Sequence, residues 1–310
     1  DQLLQGTVPE NEIAVLLTAL RAKGETVEEI AGAARAMRRH MTQIRTTRTN
    51  LIDTCGTGGV GSDLFNISTA AAIVVAAAGV PVAKHGNRSV TSKSGSSDVL
   101  AALGVNIEAP VEVVERCLDE LGICFCFAPK LHPAMKHVVA VRKKLGFATI
   151  FNLLGPLCNP AGARRQLLGV GKRELHQTMA EVLAKLGTEH AVVVHGTDGL
   201  GEVSLSAPTE VFAVTGGELK TFAWQPEDFG LSIAAKEALR IADATASASL
   251  IRRILAGEHG PPRDVVVLNA AAALWTASID SSPRICAERA AAAVDSGEAQ
   301  RLLERWKSFS

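Results

Sequence analysis

The chain has 310 residues, 47% of them hydrophobic and 4% aromatic, with a formal net charge of +0. That length supports one large core or two domains. The balanced charge argues against a nucleic-acid partner, which calls for a basic surplus, yet leaves room for a local basic pocket. Abundant alanine and the absence of tyrosine favour close helix packing over an aromatic-rich sandwich or barrel.

The first elements are helical. Ile13, Leu16, Leu17 and Leu20 recur at helical spacing over residues 9–22, and Gly24 ends that run. Thr26 and Glu29 form a capping-box pattern for a second helix with Val27, Ile30, Ala34 and Met37 on one face. Arg38, Arg39 and His40 close it, where cations suit the helix dipole. From Leu51 onward short apolar runs alternate with helices, at Val80–Ala83, Gly122–Ala128, Ala191–Val194, Val211–Thr215 and Val265–Leu268. This is α/β alternation. The longest apolar stretch, 70–83, is interrupted by Gly79 and Pro81 and falls short of the ~18 residues of a membrane span; it reads as a buried helix followed by a buried strand. No internal repeat or low-complexity linker is evident. No signal peptide or membrane segment is read, so a cytoplasmic location is expected. The six cysteines fit no zinc spacing, since Cys124 and Cys126 have one residue between them and no partner pair. Reduced, buried thiols are expected.

Two motifs carry chemistry. Gly56-Thr57-Gly58-Gly59 opens a glycine-rich turn that runs through Gly61-Ser62 to Asn66-Ile67-Ser68-Thr69 and a long apolar helix. Such a turn lets backbone N–H groups and a helix N-terminus approach a phosphate. Lys84-His85-Gly86-Asn87-Arg88 follows a short strand, and ligands of open α/β sheets bind at strand carboxyl ends. Ser92 and Ser96 follow in a serine-rich stretch.

With these motifs, Phe151-Asn152-Leu153-Leu154-Gly155-Pro156-Leu157-Cys158-Asn159-Pro160, Val194-His195-Gly196-Thr197-Asp198-Gly199-Leu200 and Asn269 to Ala273, the chain closely resembles the anthranilate phosphoribosyltransferases, from about Gly6 to beyond Ala273. Several motifs in the right order are far more specific than any one of them. The resemblance implies an α/β fold: a small N-terminal helical domain plus a larger α/β domain, whose mixed central sheet is flanked by helices. It places 1–47 and 109–143 in the helical domain and 48–108 and 144–310 in the domain that binds phosphoribosyl pyrophosphate (PRPP), with the active site in the cleft between them. It implies a pentosyltransferase that moves the phosphoribosyl group of PRPP to the amine of anthranilate in tryptophan biosynthesis. A homodimer is expected, with small-molecule substrates and neither nucleic acid nor membrane as partner. Family members usually begin with another helix or so before the segment that starts here, and these helices often help form the dimer contact.

Site roles follow by the same resemblance. Gly56, Thr57, Gly58 and Gly59 would cradle the pyrophosphate. Asn66, Ile67, Ser68, Thr69, Lys84, Asn87, Ser92 and Ser96 would complete PRPP binding. Gly56, His85, Asn87, His132, Arg142, Gly155 and Pro156 would receive anthranilate, with the Arg142 guanidinium suited to its carboxylate. Lys84, Asn66 and Arg142 would act by positioning and electrostatics, with no strong general base required. Magnesium (Mg2+) is the expected helper, bound through Ser68 and Glu202. Ser68 and Thr69 could also serve as simple helix caps.

Two departures stand out. Val60 replaces an Asp that many members carry after Gly-Thr-Gly-Gly, which implies altered substrate-loop behaviour. Gly201 replaces the first acid of an Asp-Glu pair that holds a second magnesium. It implies weaker binding of that ion, or binding through Glu202 and water. A pyrimidine nucleoside phosphorylase shares the fold, but the Lys84–Arg88 and Asn152–Pro160 motifs favour the transferase. A non-catalytic nucleic-acid-binding relative draws support from positions 60 and 201, but the neutral charge and the retained Lys84, Asn87 and Arg142 weigh against it.

Overall fold

A computed structural model describes residues 1–58, 63–88 and 95–310. Its centre is a seven-stranded sheet: β1 (Ile52–Gly56), β2 (Val82–Gly86), β3 (Ile123–Phe127), β4 (Arg165–Gly169), β5 (His190–Gly196), β6 (Thr209–Thr215) and β7 (Glu218–Trp224). The spatial order is β3-β2-β1-β4-β5-β6-β7. The first five strands run parallel, and β6 and β7 add antiparallel at one edge. Gly216 and Gly217, both at positive φ (59 and 89), make the two-residue β6–β7 turn between the paired Thr215 and Glu218.

The parallel strands are apolar on both faces because both faces are covered. Their two-residue period sorts the side chains into two cores. Ile52, Val192 and Val194 enter one core with the helices Ile67–Ala77, Ala244–Leu255, Pro261–Thr276, Pro283–Asp295 and Glu298–Phe309. Cys55, Ala191 and Val193 enter the other with the helices Glu10–Lys23, Val27–Arg39, Lys136–Leu145 and His176–Lys185. Alanine sets the spacing of the first core. The helix Ile67–Ala77 is buried over nearly its whole length and packs on Pro261–Thr276.

The expected capping box is present: Thr26 Oγ1 accepts from Glu29 N at 3.3 Å, and Glu29 Oε2 accepts from Thr26 N at 2.9 Å. Val265–Leu268, expected as a strand, instead lies inside the helix Pro261–Thr276. That helix is buried on nearly every side, so its apolar run carries no helical period. Residues 109–143 divide between the two cores. Ile123–Phe127 is the edge strand β3, and Val114, Cys117 and Leu118 pack in the sheet's first core. Within 109–143, only the later residues Val138 and Val141 are buried with Leu4, Ile13 and Ile30. All six cysteines are free and buried. Among the described residues, no helix is long and apolar enough to cross a membrane.

Candidate active site

Strand order reverses at β1, where β2 lies on one side and β4 on the other. Crevices form at the strand carboxyl ends of such switch points. Here a cleft of about 1120 Å³ opens there. Its floor is backbone. Gly56 pairs with Gly169, and a Cβ on Gly56 would stand 3.1 Å from the Gly169 carbonyl oxygen. Thr57 N donates to that same oxygen at 2.9 Å, and Gly58 turns the chain at φ 79. Gly59, Val60 and Ser92 lie outside the described residues.

Asn66 caps the helix Ile67–Ala77, its Oδ1 accepting from Thr69 N at 3.0 Å and from Ser68 Oγ at 3.3 Å. The positive end of that helix therefore meets the cleft, where an anion is stabilised. Asn66 and Ser68 line the cleft, whereas the side chains of Ile67 and Thr69 are buried away from it. The cap is therefore Asn66, and neither Ser68 nor Thr69 serves in that role: Ser68 Oγ faces the cleft and Thr69 Oγ1 is buried.

The pleat of β2 divides the two sides of the site. Lys84 points toward the Ile67–Ala77 helix, donating through Nζ to Thr54 O at 2.6 Å and to Ser68 Oγ at 3.2 Å. Burial lowers its pKa, while Asp53 and Glu202 oppose that shift. His85 points to the opposite face, where its Nδ1 meets Gly155 O at 2.8 Å and its Nε2 meets His132 Nε2 at 3.0 Å. A carbonyl only accepts, so Nδ1 of His85 carries the proton and its Nε2 accepts from His132. This leaves His132 Nδ1 as a buried acceptor with no partner among the described residues. Burial lowers both imidazole pKa values, that of His132 to about 3 with help from His85. The pair is neutral near pH 7.

Beyond the histidines, Arg142 projects from the helix Lys136–Leu145 into the cleft. Its guanidinium lies 5.6 Å from the centre of the Phe151 ring and donates to Asn152 Oδ1 at 3.3 Å. Among the described residues it has no carboxylate partner within ion-pair distance. Gly155, Pro156, Asn87, Arg88 and Ser96 also line the cleft. A Cβ on Gly86 would collide with Ser96 Oγ, so the glycine lets that serine seat against β2.

The remaining wall comes from the segment after β5. Asp198 accepts from Ser206 Oγ at 2.6 Å, Ser204 Oγ at 3.0 Å and Leu200 N at 3.1 Å. Burial pushes its pKa up, but these bonds prevail and hold it low. Glu202 is raised to about 7 by burial and by Asp198, against the pull of Lys84 and Lys236. At Gly201 a Cβ would stand 3.0 Å from Gly171 N and 3.1 Å from Gly171 Cα, a tight contact with backbone.

Sequence reading missed several wall residues. Lys236, Arg240 and Asp63 line the cleft, as do Met37, Met135 and Val139. Lys236 and Arg240 belong to a stretch with no motif or period. A network beneath the floor was also missed: Asn159 Nδ2 donates to Asp53 Oδ2 at 2.8 Å and Ala83 O at 2.7 Å, while Asp53 Oδ1 accepts from His85 N at 3.1 Å. This network ties β1 to β2. The arrangement can hold a polyanion against Lys84, the helix terminus and the glycine backbone. Across the sheet it can hold a flat, partly apolar molecule whose negative group meets Arg142. Among the described residues, no group of three His, Cys, Asp or Glu side chains could hold a metal by itself.

Residues 48–300 match the model of the glycosyl transferase family a/b domain, and residues 1–41 match that of the family's helical bundle domain. The chain is 52% identical over 308 residues to the anthranilate phosphoribosyltransferase of Symbiobacterium thermophilum, covering 99% of this chain and 90% of the relative. The crystal structure of the Thermus thermophilus enzyme superposes with a TM-score of 0.92 at 46% identity, covering 99% of this chain and 92% of that one. The Saccharomyces cerevisiae enzyme in complex with PRPP and Mg gives a TM-score of 0.88 at 30% identity, covering 97% and 85% of the two chains. The same yeast enzyme in complex with 4-fluoroanthranilate gives 0.87 at 29%, covering 99% and 89%. Glycine floor, strand-end lysine, cleft-facing arginine and near-full-length identity agree, and the chain belongs to the anthranilate phosphoribosyltransferase family.

Proposed function

We infer that this chain transfers the 5-phosphoribosyl group of PRPP to the amine of anthranilate. The amine lone pair forms the bond to C1 of the ribose as the C1–O bond to pyrophosphate breaks. The electron pair of that bond leaves with pyrophosphate, and the nitrogen gives up a proton to yield N-(5-phosphoribosyl)anthranilate. The observation that carries this reading is the opposed placement of Lys84 and His85 on β2, with Arg142 on the His85 side.

On the donor side, Lys84, the Asn66-capped helix terminus and the backbone of Gly56, Thr57 and Gly58 bind and orient the diphosphate. These groups favour the charge that grows on the leaving group. On the acceptor side Arg142 meets the anthranilate carboxylate, which favours a charged ring over a neutral nucleobase. The neutral His85–His132 pair orients the ring and need not exchange a proton, because an aromatic amine is already nucleophilic at neutral pH. Water exclusion and alignment supply the rest.

Magnesium fits the donor side. Ser68 Oγ faces the cleft beside Lys84, and no described protein donor hydrogen-bonds the cleft-lining Glu202 carboxylate. These two residues would hold the ion, with phosphate oxygens and water completing its shell. Bound there, it would neutralise phosphate charge and ease departure of pyrophosphate. We also read the chain as a cytoplasmic homodimer. The free thiols support the location, and the exposed Val15 (70%) and Leu16 (44%) on the helix Glu10–Lys23 support pairing.

The test follows anthranilate fluorescence after addition of PRPP and magnesium. Wild type is expected to consume the signal only when all components are present. Arg142→Ala is expected to raise the KM for anthranilate by roughly 10- to 100-fold while leaving PRPP binding intact. A folded wild type that binds neither substrate refutes the reading.

A further inference from the structure

The segment 234–241 is fastened at both ends over the donor side of the cleft. Ala234 N donates to Leu205 O at 3.0 Å, Ile241 N to Asp63 O at 2.7 Å, and Phe65 N to Leu239 O at 3.1 Å. Between these anchors Lys236 begins a short turn, and its Nζ donates to the backbone carbonyl of Asp198 at 3.1 Å. The carboxylate of Asp198 is taken up by Ser204, Ser206 and Leu200. Lys236 is therefore held by a neutral carbonyl, with two N–H bonds left over, and it lines the cleft together with Ser68, Lys84 and Glu202. One residue before Glu202 the chain has Gly201, packed tightly enough that a Cβ would stand 3.0 Å from Gly171 N. The wall beside Glu202 thus carries two ammonium groups, Lys84 and Lys236, and a glycine at 201.

We propose that Lys236 binds the diphosphate of PRPP directly and supplies the positive charge that a second magnesium would otherwise bring, so that the donor binds with a single ion. This rests on the transferase reading and deepens it. An ammonium fixed by the fold needs no metal occupancy, so donor affinity should depend on magnesium to the first power. Removing the ammonium should weaken PRPP, and pyrophosphate with it, without touching the anthranilate side.

The test is calorimetric titration of PRPP into the purified chain over a magnesium series, for wild type, Lys236→Met and Lys236→Arg. Wild type is expected to take up about one magnesium per PRPP bound. Lys236→Met is expected to lose roughly tenfold in PRPP affinity at low magnesium and to recover part of it, with a steeper slope, at high magnesium. Lys236→Arg is expected to retain binding within about threefold, and the KM for anthranilate is expected to stay constant in both variants. Equal affinity of Lys236→Met and wild type at every magnesium concentration overturns the proposal, as does a wild-type uptake of two ions. Absence of PRPP binding by wild type at any magnesium concentration brings down the transferase reading itself, a different outcome from either.

Discussion

Replacing Asn159 by leucine tests the network under the cleft floor. The change preserves side-chain size and removes three hydrogen bonds: to Asp53 Oδ2 at 2.8 Å, to Ala83 O at 2.7 Å, and from Ala161 N at 2.9 Å. Two of these are between neutral groups and contribute about 1 kcal/mol each; the bond to the carboxylate contributes about 1.5–3 kcal/mol. The expected loss near neutral pH is therefore about 3.5–5 kcal/mol. Its pH dependence has a definite sign. Burial raises the Asp53 pKa above its ordinary value, opposed by His85, by the Asn159 hydrogen bond and by Lys84. Loss of Asn159 raises it further. An acid whose folded pKa lies above its unfolded one costs stability at high pH, and that cost is relieved as the pH falls through the folded pKa toward the unfolded value. The deficit of Asn159→Leu should thus be largest at neutral pH and should shrink on acidification. Urea unfolding followed by tryptophan fluorescence at neutral and at acid pH measures it. A loss below about 1 kcal/mol, or a deficit that grows on acidification, would show that the network does not bear on stability in this way.

Other consequences can be checked with the same methods. Gly201→Ala and Gly201→Asp should each lose about 1–3 kcal/mol, because any Cβ meets the Gly171 backbone. Gly201→Asp should therefore gain no second magnesium in PRPP titrations, and an unchanged melting temperature contradicts the packing argument. Burial and His85 hold the His132 pKa at about 3, so below the unfolded value near 6.5 the unfolded chain holds more protons. Wild-type stability should then fall with pH, by up to about 1.4 kcal/mol per unit from this group. His132→Gln should show a shallower acid limb, and a parallel one refutes the assignment.

The sequence was most legible where one short-range rule acts alone. Thr26 and Glu29 announce a helix start through their own side chains, and the structure closes both bonds of that box. The glycine turn and the lysine at the end of β2 were legible for the same reason. Val265–Leu268 failed because burial on nearly all sides erases the period that separates helix from strand. Strands β1, β4 and β7 were not singled out, and β4 gives little local signal because its five residues include Arg165, Gln166 and Gly169. Lys236 and Arg240 were invisible for another reason. They reach the cleft only because backbone bonds to Leu205, Asp63 and Phe65 carry a motif-free segment there. The glycine at position 201 could be read in the sequence, but its tight contact with Gly171 could not.

The two cores on opposite faces of the sheet carry a consequence for how this enzyme can change. Lys84 and the Asn66-capped helix, proposed above to grip the diphosphate, are mounted mainly on one core, and the helix bearing Arg142 is mounted on the other. Residues in separate packing units combine nearly additively. Acceptor preference can therefore drift through substitutions around Met135, Val139 and Phe151 while the donor machinery stays unchanged. A lineage could trade one aromatic amine for another in small steps, each leaving a chain that still folds and still binds its sugar donor.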